Sequence, residues 1–135
     1  TCLRLAKFKK ENKELLTYML FESSDEEAYI QTVKAEIDEE FKGINTRNFY
    51  FVKKSVRKIL RNIKKYSRYS QKKETEVELL LYFCLKLKIF KPSIKNNLTL
   101  MNLYQRQLGM VKKSISTLHE DLQYDYQLEL EELED

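Results

Sequence analysis

The chain has 135 residues, of which 42% are apolar and 34% charged, with a net charge of +4. That length matches one domain, and the apolar share is enough for a core without disulfide or metal staples, which excludes wholesale disorder. Two glycines and one proline supply too few turn residues for a sheet-rich fold, so the composition points to long helices joined by few loops.

In chain order, the first predicted helix covers roughly residues 2–21, with Leu5, Phe8, Leu15 and Met19 at helical spacing. In "ESSDEE", Ser24 and Glu27 have the spacing of a capping box, and Asp25 and Glu26 suit the positive end of a helix dipole. The second predicted helix runs to about Lys42, its row being Ile30, Val33, Ile37, Phe41 and Ile44. Gly43 follows, where a left-handed residue commonly ends a helix. Asn45 or Thr46 is the expected cap of a third helix, roughly 47–68, with Phe49, Val52, Val56, Ile59, Ile63 and Tyr66 along one side. "YSRYSQKKET" breaks that pattern. A fourth helix, about 75–90, is expected to turn Val77, Leu80, Leu81, Cys84 and Leu85 inward. Pro92 makes "FKPSIKNN" the clearest loop. Asn96 or Asn97 then caps a fifth helix whose seam (Met101, Tyr104, Leu108, Val111, Ile115, Leu118, Leu122) reaches about residue 125. The tail "QLELEELED" is acidic and either frays or extends that helix.

The modest net charge hides segregation. Residues 1–40 hold six basic and ten acidic side chains, residues 41–119 nineteen basic and three acidic, and residues 120–135 eight acidic and none basic. On the third predicted helix, Lys53, Lys54, Arg57, Lys58, Arg61, Lys64, Lys65 and Arg68 fall within an arc of roughly 140° at about 100° per residue. No acid stands at i+4 to relieve them, and like charges so placed repel. Three readings are open. The face is solvated; or it is matched by the acidic second helix, by the tail, or by the tail of another subunit; or it meets the phosphates of a nucleic acid, with Tyr50 or Tyr69 stacking on a base. No helix-turn-helix glycine turn or RNA-binding sheet motif accompanies the charge, and the pI of about 8.9 falls just short of the guide value for a nucleic-acid domain.

Catalytic chemistry finds little support. His119 is the only histidine; beside Glu120 and Asp121 it reads as a surface residue, because a metal site wants more ligands at fixed spacing. Glu36, Glu39 and Glu40 lie one helical turn apart, but no Glu-x-x-His partner motif exists for a di-metal centre. Cys2 and Cys84 form no CxxC, and Cys84 reads as a buried thiol. Ser114, Ser116 and Thr117 have no evident base. No phosphate-binding glycine loop, GxSxG or HExxH occurs. We therefore expect no catalytic residue, metal or cofactor. There is no leader pattern and no apolar run near the length of a membrane span, so a cytoplasmic setting without a membrane partner is expected. The chain begins at Thr1, already in helical pattern, so further residues are expected upstream.

The stretches "KKENKELLTYMLFE", "ETEVELLLYFCLKL" and "LHEDLQYDYQLELEELE" resemble a small group of uncharacterised all-helical bacterial proteins. That resemblance covers most of the chain and implies a multihelical fold, with no activity, cofactor or catalytic residue to carry over. The sequence as a whole leads us to expect an all-α, single-domain bundle of about five amphipathic helices, mostly antiparallel, over residues 1–125, followed by an acidic tail over 126–135. Repeat-like stacking of helix pairs is the less favoured architecture, since no residue pattern recurs. The expected role is a non-enzymatic interaction or structural module, with a protein partner or self-association; nucleic-acid binding by the basic third helix is the alternative.

Overall fold

The computed structural model describes residues 26–134, and the first predicted helix and the Ser24 cap lie outside them. The described residues form α1 (Glu26–Lys42), α2 (Phe49–Ser70), α3 (Lys73–Ile89), a 3-10 turn (Ile94–Asn96), α4 (Leu98–Ile115) and α5 (Glu120–Glu134), and no strand. The all-α bundle expected from periodicity is the fold found.

α3 is the hub. It is apolar all round, as a helix enclosed by others must be, and it buries Val77, Leu79, Leu80, Leu81, Phe83, Cys84 and Leu87 against α1, α2, α4 and α5. Sequential helices run antiparallel. The start of α1 meets the end of α2 through the Tyr29 hydroxyl, which donates to the Tyr66 carbonyl at 3.0 Å. The start of α3 meets the end of α4 through Ser114, which donates to Glu76 at 3.2 Å. α1 and α3, two steps apart, are parallel, as are α3 and α5. Around the hub α1 neighbours α2 and α4 neighbours α5. One groove opens between α1 and α5, and another on the side where α2 and α4 flank α3.

Buried polar ties fix this arrangement. Glu26, in the first turn of α1, accepts hydrogen bonds from Ser70 at the end of α2 and Thr75 at the start of α3, both at 2.5 Å. Asp38 on α1 accepts from the Tyr82 hydroxyl at 2.6 Å and pairs with Lys86 at 3.1 Å. Burial pushes the Asp38 carboxyl up, but hydrogen bonds from Tyr82 and Lys86 and the charge of Lys86 outweigh it, and the group sits below its ordinary value. Burial, reinforced by Asp38, pushes the Tyr82 hydroxyl up to about 12.

Several local expectations are corrected. α2 is capped by Asn48, whose extended backbone lets its Oδ1 accept the Phe51 N–H at 3.2 Å. Asn45 instead spends its side chain on the Arg47 N–H. Gly43 does not adopt left-handed geometry; the left-handed residue is Gln71 (φ 60°), which ends α2 with its N–H on the Ser67 carbonyl. Leu85 is not inward but 43% exposed. Asn97 does cap α4, accepting the Leu100 N–H at 3.1 Å.

The largest correction concerns the C-terminal region. The fifth predicted helix is not continuous to residue 125: α4 stops at Ile115. The hydroxyls of Ser116 and Thr117 turn back onto the carbonyls of Lys113 and Ser114, satisfying acceptors that a continuing helix would use. After a four-residue break the chain reverses into α5, and the expected boundary at 125/126 falls inside that helix. Tyr126, Leu130 and Leu133 join the core. The last turn of α5 carries only acidic charge, which opposes its helix dipole. Lys88 relieves it by donating to the carbonyls of Glu132 (3.0 Å) and Leu133 (3.1 Å), and Tyr104 donates to the Leu133 carbonyl at 3.0 Å.

Candidate polyanion interface

α2 is built to turn one side in and the other out. Val52, Val56, Ile59, Leu60, Ile63 and Tyr66 are buried. Opposite them, Lys54, Arg57, Lys58, Arg61, Lys64 and Arg68 are exposed, and Lys53 and Lys65 are half-buried. All eight predicted cations are thus brought together on one helix face. Lys53 to Arg68 spans about 22 Å at 1.5 Å per residue. Tyr50, 64% exposed, projects from the middle of the same arc, with its ring edge against Phe51 (centroids 5.3 Å apart). Tyr69 is half-buried and less available for stacking.

Three acids of α1 have partners other than the exposed cations of α2. On α1, Glu26 serves the α2–α3 junction, Asp38 holds Tyr82 and Lys86, and Glu40 accepts from Asn62 at 3.0 Å. The acidic C-terminal segment packs on α3 and α4. Among the described residues, Lys53, Lys54, Arg57, Lys58, Arg61, Lys64 and Arg68 form no ion pair. A cleft of about 250 Å³ between α2 and α4, lined by Lys64, Arg68, Ser67, Glu76, Leu80 and Met110, continues the basic face toward α4. α4 adds Arg106, Lys112 and Lys113 and no acid.

The remaining candidates have no such arrangement. His119 is exposed and precedes α5, where its Nδ1 accepts the Asp121 N–H at 3.3 Å. Glu36, Glu39 and Glu40 converge on no common point, and among the described residues no three His, Cys, Asp or Glu side chains group as metal ligands. Cys84 is fully buried, and burial pushes its thiol up to about 12, far from a reactive thiolate. No helix among the described residues is long and apolar enough to cross a membrane.

No protein-family model matches the chain, and no curated protein or solved structure does so. Function is therefore argued from the site alone. Sequence reasoning found every cation of the α2 face. It missed the acid-hydroxyl junction at Glu26, whose partners lie 44 and 49 residues away. It also missed the exposed apolar pair Leu85 and Ile89. The signal for that pair was present: α3 has more apolar residues than one buried stripe can use.

Proposed function

We propose that this protein is a non-enzymatic binding module whose α2 face takes a polyanion, nucleic acid being the class. The observation that carries the reading is that seven cations on one helix face have no ion-pair partner among the described residues. Repulsion between such neighbours costs a few tenths of a kcal/mol per pair. Phosphates relieve it, and the counterions they release favour binding. Tyr50 supplies an exposed ring in line with the cations, one turn before Lys53, and single-stranded nucleic acid stacks bases on such rings. A cytoplasmic setting belongs to this reading, since nucleic acid and a reduced buried thiol are both found there. Kinship with all-helical bacterial proteins is a proposal of the same standing and adds no activity.

The test is fluorescence anisotropy of short labelled DNA and RNA with the full chain, at low and at physiological salt. Micromolar binding that falls steeply with salt is expected, with a slope of roughly −0.7 to −0.9 per phosphate engaged. Arg57→Glu with Arg61→Glu is expected to abolish it while circular dichroism stays unchanged. Absence of binding at low salt overturns the proposal, and unchanged binding by the double variant moves the site off α2.

A further inference from the structure

The second groove lies on the opposite side of the hub from the cleft between α2 and α4. α1 and α5 straddle α3 and leave a channel of about 530 Å³ between them. Its floor is the outer side of α3: Leu81, Leu85 and Ile89, one helical turn apart. Leu85 is 43% and Ile89 58% exposed, although they belong to the most enclosed helix of the bundle. Such a contiguous apolar strip with charged banks is the form of a helix-binding groove.

The banks say what fits there. Two lysines reach the groove, and both are in use: Lys34 pairs with Glu78 at 3.5 Å, and Lys88 holds the end of α5. Glu129 and Glu132 line the α5 side and form no ion pair among the described residues. Burial pushes the Glu129 carboxyl up, and the charges of Glu78, Glu132 and Asp125 push it further, with only Lys34 opposing. The flanking helices are acidic beyond the groove: α1 has six acidic and two basic side chains, and α5 seven acidic and none basic.

We infer that the α1–α5 groove docks a basic amphipathic helix of a partner protein. Its apolar row lies on Leu81, Leu85 and Ile89, and its lysines or arginines face Glu129 and Glu132. Glu78 to Ile89 extends about 17 Å, so the bound segment needs about three turns. A second copy is a poorer occupant. Its basic helix, α2, spends its apolar row on its own core and offers charge without side chains to fill the floor. This inference stands apart from the polyanion reading, since it uses no α2 residue.

The experiment titrates the full chain into a labelled peptide of about 14 residues, built from Leu and Lys with leucines at i, i+3, i+4 and i+7. A Leu/Glu peptide of the same pattern is the control. Binding of the Leu/Lys peptide alone is expected. Leu85→Asn with Ile89→Asn is expected to weaken it at least about tenfold, with helicity retained because both positions are exposed. Glu129→Lys with Glu132→Lys is expected to weaken it as well and to admit the Leu/Glu peptide. The inference is overturned if the Leu/Lys peptide does not bind, or if it binds the Leu85/Ile89 variant as well as the parent, which marks charge without a groove. It is overturned too if sedimentation finds a dimer that the same two substitutions dissolve, which makes a second copy the occupant.

Discussion

α2 and α5 are both helices of a single charge sign, and the bundle treats them oppositely. α2 has eight basic residues and no acid, α5 seven acidic residues and no base. α5 is tied down: Tyr126 donates to Glu78 at 3.0 Å, and Lys88 and Tyr104 hold its terminal carbonyls. α2 is held from its inner side, by its apolar row, by its Tyr66 carbonyl on Tyr29 and by Asn62 and Ser70 on the α1 acids Glu40 and Glu26, while Lys54, Arg57, Lys58, Arg61, Lys64 and Arg68 on its other side are exposed. The difference teaches that a run of like charge is not in itself a binding face. In both helices the ties reach atoms beside the charges, side chains in α2 and terminal carbonyls in α5, and topology rather than the helix decides which.

The most severe way to break the comparison is to delete residues 126–135. If α5 were a solvated tail, nothing would change. Because Tyr126, Leu130 and Leu133 lie in the core, the deletion is expected to remove on the order of 5 kcal/mol, at roughly 1.5–3 kcal/mol per buried side chain. That rivals the whole stability of a small domain. Thermal melting followed by circular dichroism checks it, and an unchanged transition contradicts the packing of α5. Next in size is Glu26→Ala, which removes the carboxylate to which the Ser70 and Thr75 hydroxyls, 4% and 0% exposed as residues, both donate. A loss of about 1–3 kcal/mol in urea unfolding is expected, and Glu26→Gln should recover part of it.

A smaller effect is set by pH. The folded Asp38 carboxyl titrates below its unfolded counterpart. Its contribution is therefore full above about pH 3.9, the ordinary value for an unfolded aspartate, and is lost as pH falls through the lower folded value. Asp38→Asn is expected to flatten the decline of stability below about pH 4; a variant that melts with the parent's pH dependence assigns that decline to other acids. Smallest of all is Arg57→Glu with Arg61→Glu. It relieves repulsion on α2 and should hold or raise stability by a few tenths of a kcal/mol while removing polyanion binding. A clear loss of stability would mean that α2 is held by contacts through its charged side as well.

The rows of α1 and α2 were legible because each helix shows one apolar side at a period near 3.6. Every member of the predicted α1 row, from Ile30 to Ile44, is buried. α3 was harder. A helix apolar all round has no preferred direction in its pattern, so Leu85 was given an inward place that Leu79, Phe83 and Leu87 occupy. Residues 126–135 were read as a tail because acidic residues crowd a real row, Tyr126, Leu130 and Leu133, while Leu122 was assigned to the helix before them. The side chains that finish the end of α5, Lys88 and Tyr104, come from 45 and 29 residues away. Of the α2 face, the cations were readable in full. That Glu26 and Asp38 of α1 are engaged with α3, and that α5 packs on α3 and α4, was not, since it depends on which helices become neighbours.

The segregation of charge has a consequence for what the surroundings sense. The basic pair α2 and α4 and the acidic pair α1 and α5 sit on opposite sides of α3. The pairs meet at their edges, where α1 packs on α2 and α4 on α5, but their outward faces point to opposite sides. The Debye length at physiological ionic strength is about 8 Å, close to a single interhelical spacing, so a solute near one outward face senses mainly the charge of that face. A solute near the protein does not meet a body of charge +4; it meets a strongly positive wall or a strongly negative one. Diluting the salt about tenfold lengthens the screening distance to roughly 25 Å, beyond two interhelical spacings, and the two walls then begin to cancel at a distance.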